Sequence, residues 1–271
     1  MLLENRVAIV TGGATGMGRC TAVWFAREGC DVVIADIKMS EANRTMEMVK
    51  ANGRDGLVVE CDISDSAAVC RVVDRTIAKY GKIDILVNAA GGTGSMPAEG
   101  GPAPPGVQYI TEQKWDRILA VNLKGAFLFC NAVVPHMKER RYGKIVNVSS
   151  LGWIHPPVPG PDYHAAKAGV VGLSNDMASE LGPWGIHVNC ILPGPIRTPF
   201  YDRMVAGMTP AEQEAFFLAA GKTTPLQRIG TPEDIAGVAL FLASDLSSYV
   251  TGAAIAVGGG LPLKPYLGTF G

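Results

Sequence analysis

Val7-Ala8-Ile9-Val10-Thr11-Gly12-Gly13-Ala14-Thr15-Gly16-Met17-Gly18 is the stretch on which the reading of this chain turns. Its first four residues form a short apolar run, the pattern of a parallel strand buried on both faces. A glycine turn follows at once. A helical pattern then runs from Arg19 to Glu28, with Ala22, Val23, Phe25 and Ala26 on its apolar side, and a second strand-like run begins at Asp31. Strand, glycine turn, helix and strand make a βαβ unit. Glycines in such a turn allow a tight bend and close approach of backbone to a pyrophosphate, while the helix N-terminus points free N–H groups at the anion. The spacing is G-x-x-x-G-x-G over Gly12, Gly16 and Gly18, not the commoner G-x-G-x-x-G. A glycine cluster alone is often just a turn; its flanking elements give this one its weight.

The second strand ends at Asp36, twenty residues after Gly16. A carboxylate there accepts hydrogen bonds from the hydroxyls of an adenosine ribose and repels a 2′-phosphate. Ile37 follows rather than arginine, and Thr15 is not basic, so NAD is expected over NADP. Lys38 works against that expectation by partly offsetting the repulsion. The plain alternative for Asp36 is a strand-end turn residue.

Further along, Tyr163 and Lys167 stand four residues apart, and Ser150 lies thirteen before the tyrosine. On a helix that spacing puts phenol and ammonium on one face, one turn apart. A phenol titrates near ~10 and is a poor base at neutral pH, and a fixed cation lowers that value. Lowering it by ~3 units takes ~4 kcal/mol, more than one lysine supplies when exposed. The positive charge of an oxidised nicotinamide ring is a second source. Alone, the pair is an ordinary helix i,i+4 contact; with a nicotinamide site in the same chain it becomes a candidate centre for proton handling.

Apolar runs alternate with helical patterns along all 271 residues. Strands are expected at 7–10, 31–36, 56–61, 83–88, 144–149, 187–192 and 253–257. Helices are expected at 16–28, 40–52, 65–80, 111–137 with a break near Asn122, 163–181 and 231–246, with a short one around 210–220. This rhythm predicts one Rossmann-type domain over 1–271, a doubly wound parallel sheet of seven strands with helices on both faces. Two stretches interrupt it, at 91–110 and 196–224. Each borders the expected ligand crevice, as a substrate loop or, for the second, a lid; a tolerated insertion is the alternative for the first.

A net charge of −1 gives no footprint for nucleic acid or an anionic membrane. No apolar run has the length of a membrane span, and no signal-like segment precedes the first strand, so a cytoplasmic protein is expected. The six cysteines and four histidines show no metal-ligand spacing.

Together these residues resemble the short-chain dehydrogenase/reductase family, in its single-domain branch, over nearly the whole chain. The matching pieces are Gly12/Gly16/Gly18, Asp36, Cys61-Asp62, Asn88-Ala89-Ala90-Gly91, Asn122, Ser149-Ser150, Tyr163/Lys167 and Pro193-Gly194-Pro195-Ile196-Arg197-Thr198. The resemblance implies Tyr163 as general acid/base, Ser150 as the hydroxyl that holds the substrate oxygen, and Lys167 as the contact to the nicotinamide ribose that lowers the phenol. It implies Asn122 as the residue that holds a water for proton relay. Cofactor contacts would come from Gly12, Thr15, Gly16, Met17, Gly18, Asp36 and Ile37 at the first turn, and from Asp62 and Ile63 at the adenine. Asn88, Ala89, Ala90 and Gly91 would lie beside the adenosine ribose, and Pro193, Gly194, Ile196 and Thr198 at the nicotinamide carboxamide. One departure stands out: Val257-Gly258-Gly259-Gly260 occurs where the family often has V-D-G-G.

The expected reaction is hydride transfer between NAD and a medium-sized, uncharged secondary alcohol or its ketone, cyclic or aromatic. Trp153, His155, Pro156, Pro157 and Val158 follow Ser150 and are expected along the substrate, although His155 also reads as a solvated loop residue. The nearest rival is an NADPH-dependent 3-oxoacyl thioester reductase, against which Asp36 argues; a non-catalytic NAD sensor would have no need of Ser150, Tyr163 and Lys167 together. The helix from Tyr163 to Leu181 is apolar or small nearly all round, which predicts a homo-oligomer, a tetramer or dimer, or else burial under another helix of the same chain.

Overall fold

A computed structural model describes residues 1–92, 106–157, 160–202 and 204–263. Seven parallel strands form one sheet: β1 (Val7–Thr11), β2 (Asp31–Asp36), β3 (Gly56–Glu60), β4 (Ile85–Asn88), β5 (Gly143–Val148), β6 (Ile186–Pro193) and β7 (Ala254–Val257). Their order is β3-β2-β1-β4-β5-β6-β7. The order reverses between β1 and β4, paired in register from Ala8↔Ile85 to Thr11↔Asn88, and that switch point opens a crevice at the strands' C-terminal ends.

The eight helices of the described residues are α1 (Gly16–Arg27), α2 (Met39–Lys50), α3 (Ser66–Tyr80), α4 (Glu112–Leu119), α5 (Gly125–Arg140), α6 (Pro161–Leu181), α7 (Pro210–Lys222) and α8 (Pro232–Ala243). Alternation along the strands decides the two cores. Ala8, Val10, Val32 and Ile34 pack with Phe25 of α1, Met46 of α2 and Ile235 of α8. Ile9, Val33 and Leu86 point the other way, onto Val72 of α3, Phe129 of α5 and Leu181 of α6.

The expected elements are all present, with shifted ends. β4 starts at Ile85 rather than Ile83, and the Asp84 carboxylate takes the Val7 N–H at 2.9 Å. α6 starts at Pro161, in the first-turn position where a missing N–H costs nothing. α8 ends at Ala243, because Ser244 turns extended. Thr209 and Thr231 close capping boxes with Glu212 and Asp234. The break near Asn122 is a π-turn over Ala120–Lys124 that joins α4 to α5.

One expectation needs correction. The joined helix Glu112–Arg140 is long and apolar enough to cross a membrane by length and composition, with a mean hydropathy of 1.6 over its most apolar window. In the sequence the run is interrupted by Asn122, Lys124 and Asn131. Its inner face, Phe129, Cys130, Val133 and Met137, is buried on the sheet.

Candidate active site

Two reciprocal bonds strap α6 to the end of β5. Ser149 Oγ donates to the Lys167 carbonyl at 2.7 Å, and Lys167 Nζ donates to the Val148 carbonyl at 2.8 Å. Lys167 is 4% exposed. Its ammonium lies 5.7 Å from the centroid of the Tyr163 ring, as one-turn spacing predicts. Ser150 lies one residue past the strap and opens a turn over Leu151–Trp153, its hydroxyl accepting from Gly152 N–H at 3.0 Å. The two neighbouring serines therefore divide: Ser149 is buried and structural, whereas Ser150 is the one beside the Tyr163 phenol.

Burial pushes the Tyr163 phenol up to about 12; the Ser150 hydroxyl opposes that rise and Tyr201 adds to it. Burial pushes Lys167 the other way, down to about 8, against a smaller upward pull from Cys190. The expectation that Lys167 holds the phenol low is thus not met by the chain itself. Desolvation penalises both charged forms, and the ammonium is turned to a backbone carbonyl. Any phenolate at neutral pH needs a further positive charge, the gap an oxidised nicotinamide would fill.

The lysine shift has a measurable sign. Its folded value of about 8 lies below the ~10.4 of an unfolded chain, so between those values the unfolded chain binds more protons and stability rises with pH. Buried thiols such as Cys130, pushed up to about 12, act oppositely above ~9. The difference between wild type and Lys167→Met isolates the lysine: wild-type stability should gain on the variant from pH 8 to 10 in denaturant melts. A constant difference across that range would contradict a lysine buried at a cost.

Asn122, at the π-turn, donates from Nδ2 to the carbonyls of Gly92 (2.8 Å) and Ile118 (3.0 Å) and accepts from Gly92 N–H at 3.0 Å. Both side-chain N–H groups are thereby spent on backbone. Gly91 is glycine for a nearby reason: a Cβ there would sit 2.7 Å from Asn122 Oδ1 and 3.2 Å from Lys167 Nζ. Asn88 is buried and donates to Asn147 Oδ1 at 2.9 Å, and Asn147 donates to Ser174 Oγ at 2.9 Å, a polar chain tying β4 and β5 to α6. Ala89 and Ala90 follow at the crevice, with Ala90 N–H bonded to Thr11 Oγ1 at 3.1 Å.

The first turn fits a dinucleotide. Gly12 and Gly16 have φ of +67° and +55°, and a Cβ on Gly12 or Gly18 would collide with backbone at 2.7 and 2.3 Å. Thr15 caps α1 without a side-chain bond, leaving the N–H groups around Gly16 and Met17 for an anion. Asp36 accepts from Ala14 N–H at 3.0 Å and from Lys38 N–H at 2.9 Å, so the carboxylate also braces the turn. Among the described residues Lys38 makes no ion pair with it, and Ile37 is exposed. Sequence reading missed Arg19, which donates to the Ala14 carbonyl and to Thr45 Oγ1, turned into the α1–α2 seam.

At the expected adenine end both side chains have partners within the chain. Asp62 is held by Ser64 (Oγ at 2.6 Å) and paired with Arg117 at 3.2 Å, while Ile63 is buried against Gly125. At the other end, Pro193 closes β6, Ile196 is buried, and Thr198 Cβ lies 3.4 Å from where a Gly16 Cβ would be. Gly194 lies against Gly258, and a Cβ on Gly258 would sit 2.2 Å from Leu151 Cδ1. An aspartate there would require the Leu151 side chain to move.

Of the expected substrate contacts, Trp153 (37% exposed) and His155, Pro156 and Pro157 are exposed. Val158 and residues 93–105 of the first loop lie outside the described residues. What the sequence did not reveal is an aromatic group after Thr198. The Phe200 ring is 6.4 Å from that of Tyr163, Tyr201 lies against Phe200, Phe216 and Phe217 at 5.5–6.1 Å, and Phe216 and Phe217 are 5.4 Å apart. Four aromatics spread over eighteen positions give no local signal.

The family model described as enoyl-(acyl carrier protein) reductase matches residues 12–262. The (2S)-[(R)-hydroxy(phenyl)methyl]succinyl-CoA dehydrogenase subunit BbsD of Thauera aromatica is 42% identical, over 97% of this chain and 99% of its own. The 3-oxoacyl-[acyl-carrier-protein] reductase FabG of Thermotoga maritima is 40% identical, over 96% and 99%. The chain belongs to the short-chain dehydrogenase/reductase family. Its fold is that of the family too: levodione reductase, a solved structure, superposes with a TM-score of 0.86 at 32% identity, over 95% of this chain and 97% of its own. Family membership makes the protein an oxidoreductase that works with a nicotinamide cofactor on a small molecule.

Proposed function

We propose that the protein is an NAD(H)-dependent dehydrogenase of a medium-sized secondary alcohol, or reductase of its ketone. The observation that carries this reading is the half-buried Tyr163 phenol beside Ser150, with the Lys167 ammonium 5.7 Å from its ring centroid, at the crevice where the sheet order reverses. Tyr163 exchanges the proton of the substrate oxygen, Ser150 orients that oxygen, and Lys167 binds the nicotinamide ribose. NAD, when bound, accepts or returns the hydride. The names of two similar proteins carry related chemistry, one a hydroxy(phenyl)methyl group on a succinyl-CoA thioester and the other a dione. Purified protein screened with NAD against a panel of secondary alcohols, read at the NADH absorbance, tests the reading; no turnover of any of them would sink it.

Coenzyme choice rests on Asp36. Its carboxylate would stand beside a 2′-phosphate, and like charges in contact cost several kcal/mol. Asp36→Ala should therefore shift the NADH-to-NADPH ratio of kcat/KM by at least about tenfold toward NADPH. The similarity to FabG favours a second reading, an NADPH-dependent 3-oxoacyl thioester reductase. Wild-type turnover with NADPH far above NADH would make that one the better.

The same reading includes a homo-oligomer seated on α5 and α6. Phe127 is 46% exposed, and nothing lies within 4 Å of a Cβ built on Gly172. Gly169, by contrast, is covered within the chain by Leu123. A light-scattering mass of one chain would contradict the oligomer. Six free cysteines fit a reducing, cytoplasmic setting.

A further inference from the structure

Phe200 stands in the short turn Pro199–Tyr201, two residues past Thr198. Its ring is tilted 43° to that of Tyr163 at 6.4 Å, yet it is 43% exposed. It is not a loose loop side chain. Tyr201 meets it edge to face at 5.5 Å and is itself set edge-on to Phe216 (6.1 Å) and Phe217 (5.9 Å) of α7. The Arg197 guanidinium lies 4.3 Å over Phe217 and pairs with Glu214 at 3.0 Å, fixing α7 to the start of the same segment. Phe200 is the open front of a braced aromatic stack.

Such a ring, held facing solvent beside a half-buried phenol, loses its water contact only when apolar surface is laid on it. If Tyr163 handles the proton of a carbinol, the reacting carbon lies at its hydroxyl, and one substituent of that carbon runs along Phe200. A charged substituent would be desolvated there without a partner, since the nearest cation of the stack, Arg197, is already paired with Glu214. A flat or cyclic substituent gains ring-to-ring contact without ordering a flexible chain.

We propose that Phe200 determines specificity, favouring secondary alcohols and ketones with an aryl or six-membered ring on the reacting carbon over open-chain ones of equal size. The proposal rests on the reading of Tyr163 given above. Its test compares 1-phenylethanol with 2-octanol, two alcohols of equal carbon number. The ratio of their kcat/KM values should fall about tenfold in Phe200→Ala, mainly through KM, and stay within about twofold in Phe200→Tyr, which keeps the ring. An unchanged ratio in Phe200→Ala would overturn the proposal. Binding of 1-phenylethanol to NADH-loaded protein, followed by saturation-transfer NMR, needs no turnover. Wild-type binding that weakens about tenfold in Phe200→Ala supports the proposal, and absent or equal binding overturns it. Such binding without turnover would instead count against the role of Tyr163 and leave ring selection standing.

Discussion

Replacing Tyr163 with phenylalanine is expected to lower kcat about a thousandfold while leaving NADH affinity within about twofold. Only one oxygen is lost, from a ring held by α6, His164 at 5.8 Å and Phe200 at 6.4 Å. The ring therefore stays in place, the cofactor cradle around Gly12 and Gly16 is untouched, and the effect falls on proton transfer. General acid–base groups contribute about 10²–10⁴ in rate, which sets the size of the loss. The control is Ser149→Ala, which removes a bond to the Lys167 carbonyl and spares the phenol. Steady-state rates and a fluorescence titration with NADH check both halves. Retained turnover in Tyr163→Phe would move the acid/base role elsewhere, and lost NADH binding would make the phenol part of the cradle.

Asp84→Ala is expected to produce the largest loss of stability. Asp84 is fully buried at the foot of the sheet, opposite the crevice. Its carboxylate accepts the Val7 N–H at 2.9 Å and meets Lys82 at 3.0 Å, Arg140 at 3.3 Å and Arg6 at 3.8 Å. Removing it strands a buried backbone donor and leaves three cations facing one another. Breaking one side of a buried ionic cluster costs about 3 kcal/mol or more. In a chain of this size each kcal/mol is worth about 2–4 °C, so Tm should fall by about 6–12 °C. Asp84→Asn keeps an acceptor for Val7 and should lose less. An unchanged Tm in Asp84→Ala, read by calorimetry, would show that the cluster contributes nothing net.

The strand and helix order was legible because it is written locally. Runs such as Val7–Val10, the glycine turn and the Thr231 cap each carry their own period or stereochemistry. Boundaries moved where a partner far away in sequence intervened, as at Asp84. The joined helix Glu112–Arg140 was legible as a helix over 111–137 with a break near Asn122, but Asn122, Lys124 and Asn131 kept it from reading as one span-length apolar run.

The site divides along the same line. Sequence by itself determined the sheet class, the glycine cradle, the carboxylate at the end of β2 and the one-turn spacing of Tyr163 and Lys167. All of these are consequences of backbone geometry over a few residues. Spacing and resemblance had also singled out Ser150 over Ser149. Only the tertiary structure decided that Asn122 bonds to Gly92 and that Phe200 stands beside Tyr163. It also decided the sense of the charges, since burial raises Tyr163 and lowers Lys167. Desolvation depends on what surrounds a group in space, and residues distant in sequence supply those surroundings.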